Sequence, residues 1–159
     1  MRAKPDQAIP APRQGLSIRH VQSPTASYYR SLYDVVGNDY NWRSRRKMSQ
    51  DELLAIIGDP RNELHVLHVE GKPAGFAELD RRVPNEIELV QFGLMPDFIG
   101  QGLGKWFLQS TDAIAWNYVP QRFWVHTCPL THAAALPNDL NGGFTVYNEV
   151  RLHRCVELR

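Results

Sequence analysis

Two periodicities run along the chain and mark out its elements. Alternation of apolar and polar residues predicts a strand; recurrence every three to four residues predicts a helix. "GLSIRHV" (15–21) alternates and predicts a first strand. "SPTASYYRSLYDVVG" (23–37) predicts a helix, with Ser-Pro opening it and Gly37 stopping it. Tyr28, Tyr29, Leu32, Tyr33, Val35 and Val36 fall at helical spacing there, and the tyrosines are expected to face the core. "NDYNWRSRRK" (38–47) has neither period and reads as an aromatic, basic loop. "SQDELLAIIGD" (49–59) opens with a capping box, Ser49 to Glu52, and predicts a short helix.

A hairpin is predicted next, from "ELHVLHVEG" (63–71) to "AGFAELDRR" (74–82) around a "GKP" turn. "NEIELVQFGLM" (85–95) predicts a fourth strand and "GKWFLQSTDAIAWNYV" (104–119) a third helix. "RFWVHTC" (122–128) predicts a fifth strand, and "THAAALPNDLNGG" (131–143) a short, proline-interrupted helix. "FTVYNEVRLHR" (144–154) supplies one or two last strands. The order is β-α-α-β-β-β-α-β-α-β. Antiparallel strands come first, and a strand–helix–strand crossover then joins parallel neighbours. The fold expected is α/β: a mixed sheet flanked by helices.

Composition changes this picture little. The chain has 159 residues, 43% apolar and 22% charged, with net charge +1. That is enough for one domain with a core, and nothing in the balance points to nucleic acid, a membrane surface or an acidic partner. Residues 1–14 read as a flexible N-terminal tail and 15–159 as a single domain. No stretch approaches the roughly 20 apolar residues of a membrane span, and the N-terminus lacks a signal-peptide apolar run. Cys128 and Cys155 are expected to be reduced thiols in a cytoplasmic protein.

Candidate chemistry begins at "LMPDFIGQGLGKWFL" (94–108), where Gly100, Gly102 and Gly104 alternate ahead of a helix. Glycines at a helix entrance let something approach the main chain closely. A helix N-terminus carries partnerless amides and roughly +0.5 charge, so the predicted guest is a phosphate or pyrophosphate, with Lys105 beside it. A Walker loop fails, because Ile99 stands where its first Gly belongs and Trp106 where its hydroxyl belongs. A dinucleotide fingerprint fails because Lys105 holds the third glycine position.

The spacing x-x-Gly-x-Gly after a strand with a nearby proline resembles the acetyl-CoA loop of the GNAT N-acetyltransferase superfamily. The element order is similar too, from about Gly15 onward. "WVHTCPLTHAAALPNDLNGGFTVY" (124–147) looks like that family's second block, which ends in Gly-Phe, here Gly143-Phe144. "IELVQFGLMP" resembles a bacterial group with Phe-Gly-Leu-x-Pro in the fourth strand. The resemblance implies the GNAT fold: a mixed sheet of six to seven strands, about four helices, and parallel fourth and fifth strands that splay apart, often at a bulge. It implies acetyl-CoA as cosubstrate, its arm bonded to the main chain of Phe92, Gly93 and Leu94. Gly93 suits such a place, since strand glycines mark bulges or close approach. The pyrophosphate would then lie on the amides of Gln101, Gly102, Leu103, Gly104 and Lys105.

Some positions depart from the family pattern. Ile99 replaces the usual Gln or Arg that opens the loop. The second block's Asn, Ala and Tyr positions hold His132, Ala135 and Asp139. His132 retains a hydrogen bond for the cofactor arm, whereas Asp139 cannot imitate a tyrosine acid. The resemblance implies direct attack by an amine on the thioester. A thiol of pKa about 8.5 leaves tolerably as thiolate, so an enzyme is still expected, with Tyr147 or a water as substitute acid. Glu88 is the candidate base, acting through water, ahead of Glu86 and Glu78. The amide of Leu94 would stabilise the oxyanion, by resemblance. The acceptor expected is a primary amine of a small molecule or peptide, with Tyr40 and Trp42 lining its pocket. The family commonly forms homodimers.

Two further segments carry residue types that suggest other chemistry. His126, Cys128 and His132 form H-x-C-x3-H, which lacks a fourth ligand and matches no usual zinc spacing, so no metal is expected. "YNWRSRR" (40–46) could stack on nucleic acid, but an acceptor-lining loop explains it better. The alternative to an enzyme is a CoA-binding sensor or regulatory module, favoured by Asp139 and Ile99.

Overall fold

The computed structural model describes residues 10–37, 45–127, 146–150 and 155–158. Seven strands form one sheet: β1 Leu16–Val21, β2 Asn62–Val69, β3 Lys72–Asp80, β4 Glu86–Leu94, β5 Arg122–Thr127, β6 Val146–Val150 and β7 Cys155–Leu158. Their spatial order is β1-β2-β3-β4-β5-β7-β6. Every neighbouring pair is antiparallel except β4 and β5, which run parallel. The helices are α1 Ala26–Gly37, α2 Gln50–Ile57 and α3 Leu103–Trp116.

Each helix buries its apolar stripe on one face of the sheet. Tyr29, Leu32, Tyr33 and Val36 of α1 and Leu53 and Ile57 of α2 pack on Leu64, Val66 and Phe76. Leu103, Phe107, Leu108, Ala115 and Trp116 of α3 pack on the other face, against Leu67, Leu79, Ile87, Leu89 and Phe123. Tyr29 and Tyr33 are core residues as the periodicity predicts, and Tyr28 is half-buried beside them. The central sheet residues are therefore largely apolar on both faces, as for a sheet covered on both sides.

Several boundaries differ from the sequence reading. Thr25, not Ser23, caps α1, accepting from the amide of Tyr28 at 3.1 Å. Ser49 caps α2 as expected, accepting from Glu52 N at 3.2 Å. The β2–β3 turn falls on Glu70 and Gly71, both with positive φ (50° and 81°), which leaves Lys72 and Pro73 in β3. Two left-handed central residues match the twist of the strands they join, so the tight turn wins over the "GKP" placement. Finally, α3 starts one residue before the expected Gly104 and ends at Trp116, not Val119, whose φ of 51° is not helical. The helix expected over 131–143 lies outside the described residues. Among the described residues, no helix is long and apolar enough to cross a membrane.

Candidate active site

The sheet parts at its centre. β4 and β5 pair from Glu86↔Arg122 to Leu89↔Val125. β4 then continues to Leu94 along β3, while β5 turns its other edge to β7 from Val125 to Thr127. Among the described residues, no strand pairs with the β5-side edge of β4 beyond Leu89. The register between β3 and β4 shifts at this point: Glu78 faces Gln91 but Leu79 faces Leu89, leaving Val90 as an extra residue. Such a bulge bends a strand and sharpens its twist. The bulge is thus at Val90 and not at Gly93, where a strand glycine suggested it.

The bulge also resets which side chains face which layer. Before it, Ile87 and Leu89 face α3; after it, Phe92 and Leu94 do. The Phe92 ring lies 5.0 Å from that of Phe107. Hydrogen-bond direction alternates along an antiparallel ladder. Met95 N donates to Ala74 O at 2.7 Å, so Gly93 directs its main-chain groups to β3. By the same alternation, the N–H groups of Phe92 and Leu94 point to the open edge. Gly75, opposite Leu94, is a close-approach position, because a Cβ there would collide with the Gly93 carbonyl oxygen.

The glycine loop stands at the end of the open edge. Pro96–Phe98 form a 3-10 turn, and Gln101 Nε2 donates to Asp97 O at 3.1 Å, tying the loop. Gly100 (φ 84°) and Gly102 (φ 76°) are left-handed, and Gly102 is the N-cap of α3. Among the described residues, apart from the chain neighbours, no atom lies within 4 Å of where a Cβ would stand on either glycine. No side chain caps the helix, and its first residue, Leu103, is fully buried as an anchor. Gln101 and Lys105 are exposed beside it. This cradle of left-handed glycines with unobstructed Cβ sides on an uncapped N-terminus fits a diphosphate.

Glu88 lies on the opposite face from α3, between Asp80 of β3 and Trp124 of β5 in the last rows before the strands part. It is half-buried. The arginine at this rim, Arg122, lies 3.4 Å from Glu86 and 5.0 Å from the Trp124 ring. Glu78 occupies a different environment. It is fully buried and binds Arg45 NH2 at 2.5 Å, Asn62 Nδ2 at 3.2 Å and the hydroxyl of Tyr29. Burial, then the adjoining carboxylate, push the Tyr29 hydroxyl up, so it stays a donor. Burial alone would lower Arg45, but Glu78 and Tyr29 outweigh it and raise the guanidinium. A carboxylate so enclosed serves as an anchor for the chain entering α2, not as a base open to solvent.

Tyr40, Trp42 and His132 lie outside the described residues. Tyr147 lies on β6 at a register irregularity between Val146 and Asn148. An open depression of about 450 Å³, lined by Arg19, Gln22, Thr25, Tyr28 and His68 among others, sits at the β1–α1 junction. It borders the edge strand β1, which β2 and β3 separate from β4. Sequence reading missed the Val90 bulge, Gly75 and the Arg45–Glu78–Tyr29–Asn62 network. Glu78, a polar residue inside the apolar run of β3, was the one sequence signal for that network.

The acetyltransferase (GNAT) family model matches residues 29–136. No curated protein matches the chain. Among solved structures, PaiA N-acetyltransferase from Thermoplasma acidophilum in complex with coenzyme A superposes with TM-score 0.69 at 16% identity, covering 89% of this chain and 97% of that one. IAA acetyltransferase from Bacillus cereus gives 0.68 at 16% identity, covering 90% and 97%. The ribosomal-protein-S18-alanine N-acetyltransferase from Escherichia coli gives 0.68 at 18%, covering 90% and 91%. At those identities the structures establish the fold, and the family match covers more than half of the sequence. The chain belongs to the acetyltransferase (GNAT) family and is an acyltransferase.

Proposed function

We propose that this protein transfers an acetyl group from acetyl-CoA to a primary amine of a small molecule or peptide. One observation carries the reading: the β4–β5 gap opens at Val90 and leads to an uncapped α3 N-terminus bordered by left-handed glycines. A thioester arm and a diphosphate need those two features side by side. PaiA, of like fold, was crystallised with coenzyme A, which supports the same ligand here.

In this reading the amides of Gln101, Gly102, Leu103, Gly104 and Lys105 hold the diphosphate, and Lys105 adds its charge. Phe92 and Leu94 bond the arm through main chain, Gly93 leaves room for it, and His132 holds it from the second block. Bound acetyl-CoA supplies a thioester carbonyl as electrophile. The Leu94 N–H donates to that carbonyl oxygen as it gains charge. Glu88 accepts, through water, the proton that the acceptor ammonium must lose. Tyr147 returns a proton to the departing thiolate. Tyr40 and Trp42 line the acceptor end. Holding both reactants in line supplies the largest share, on the order of 7–11 kcal/mol. That share does not depend on a tyrosine at 139.

The test is release of free thiol from acetyl-CoA in the presence of a panel of polyamines, amino sugars and peptide N-termini. The expected result is amine-dependent release on at least one class, with Glu88→Gln slowing kcat by about 10²–10⁴-fold at unchanged melting temperature. Thermal protection by coenzyme A with no thiol release on any amine would instead assign the chain as a CoA-binding sensor, which Asp139 and Ile99 would then explain.

A further inference from the structure

A second polar cluster lies outside the acyl-transfer gap, on the α3 face of the sheet near its β1 edge. The register sets His20 of β1 directly opposite His65 of β2, and their rings stack with centroids 4.7 Å apart. Glu63, two residues before His65, lies on the same face of β2, and its Oε1 is 2.9 Å from His65 Nε2. One ligand atom from each of His20, Glu63 and His65 lies within 4.8 Å of the other two. Glu63 and His65 are buried, whereas His20 is exposed.

We infer that these three side chains form a binding site for a divalent transition-metal ion of the zinc type. Two imidazole nitrogens and one carboxylate oxygen are the protein ligands of an open tetrahedral zinc site, with water in the fourth place. Metal–ligand bonds near 2.1 Å put neighbouring ligand atoms about 3.4 Å apart in a tetrahedron. The Glu63–His65 pair already stands close to that spacing, and the exposed His20 ring has the freedom to close on it. The fourth position then faces solvent on the His20 side. Binding displaces any hydrogen between His65 Nε2 and Glu63 Oε1, and the ring ligates through Nε2 with its one hydrogen on Nδ1.

The outer shell is built to match. Glu63 Oε2, the oxygen turned away from the histidines, accepts from Arg81 Nε at 2.6 Å and from the Tyr118 hydroxyl at 2.5 Å. Arg81 in turn lies 4.0 Å above the Tyr118 ring. Such partners fix a ligating carboxylate in one orientation. Arg81 brings a positive charge near the ion, but it is directed at the far oxygen. A plain histidine–glutamate pair accounts for two members of the cluster; the opposed third, from another strand, completes a ligand set.

The experiment is calorimetric titration of zinc chloride into the chelator-stripped full chain, beside His20→Ala and Glu63→Gln. The expected result is one ion per chain with affinity falling roughly tenfold or more in each variant. Without zinc, His20→Ala should melt with the wild type, since the ring is exposed. Should Glu63→Gln fail to fold, the His20→Ala comparison decides alone. Absence of zinc binding overturns the inference. So does binding that His20→Ala leaves undiminished, which would place the ion elsewhere.

Discussion

Arg45 and Glu78 form a buried ion pair joining the chain before α2 to the centre of β3. Their worth lies in completeness, because each neutralises a charge the core would not accept alone. Arg45→Met should therefore cost about 3–5 kcal/mol in urea denaturation, and adding Glu78→Gln to it should restore part of that loss. Loss under 1 kcal/mol in the single variant would show that the carboxylate is not held by the arginine. At the surface, Asp59 accepts from Arg61 through Nε at 3.1 Å, NH2 at 2.8 Å and the backbone amide at 2.9 Å. The side-chain bonds, then the amide, hold its carboxylate down to about 2, from 3.8. A depressed carboxylate adds stability above its unfolded value and loses it as pH falls through the folded one. Arg61→Ala should thus melt below the wild type at pH 7, with the gap narrowing between about pH 4 and about pH 2. A gap that persists unchanged into acid would contradict this linkage.

The elements most legible in the sequence are those with unbroken periodicity. The tyrosine stripe of α1, the Ser49 cap of α2 and the alternation of β2 and β3 all carried their own signals. Irregularities did not. The Val90 bulge leaves no trace in a run of valine, glutamine and phenylalanine, because it is a property of pairing with β3. The glycine loop was legible as a loop, while its φ values and its Gly102 cap come only from geometry. Gly102→Ala should cost about 1–2 kcal/mol of strain in the left-handed region. The added methyl group occupies the open side of the cradle, so affinity for coenzyme A should fall about tenfold or more in calorimetry. Unchanged affinity would remove the N-terminus of α3 from the site.

Across the whole molecule, topology brings together residues that the sequence keeps far apart. Glu78 meets Arg45 across 33 positions, and Tyr29 across 49. His20 meets Glu63 and His65 only through strand register. No local motif announces such meetings, which is why candidate residues within one segment were easier to name than networks. In the proposed reading the acceptor end depends on Tyr40 and Trp42, in a stretch of sequence that carries no period to place it. The central claim concerns amides: those at the start of α3 and along the open edge of β4 receive coenzyme A. Titration of coenzyme A into the isotope-labelled protein, followed by amide NMR, addresses those groups one by one. The account predicts the largest shifts at Gly100 to Lys105, with Phe92 and Leu94 next. Saturating ligand that leaves those amides unmoved, or moves only residues on the β1 edge, would contradict it.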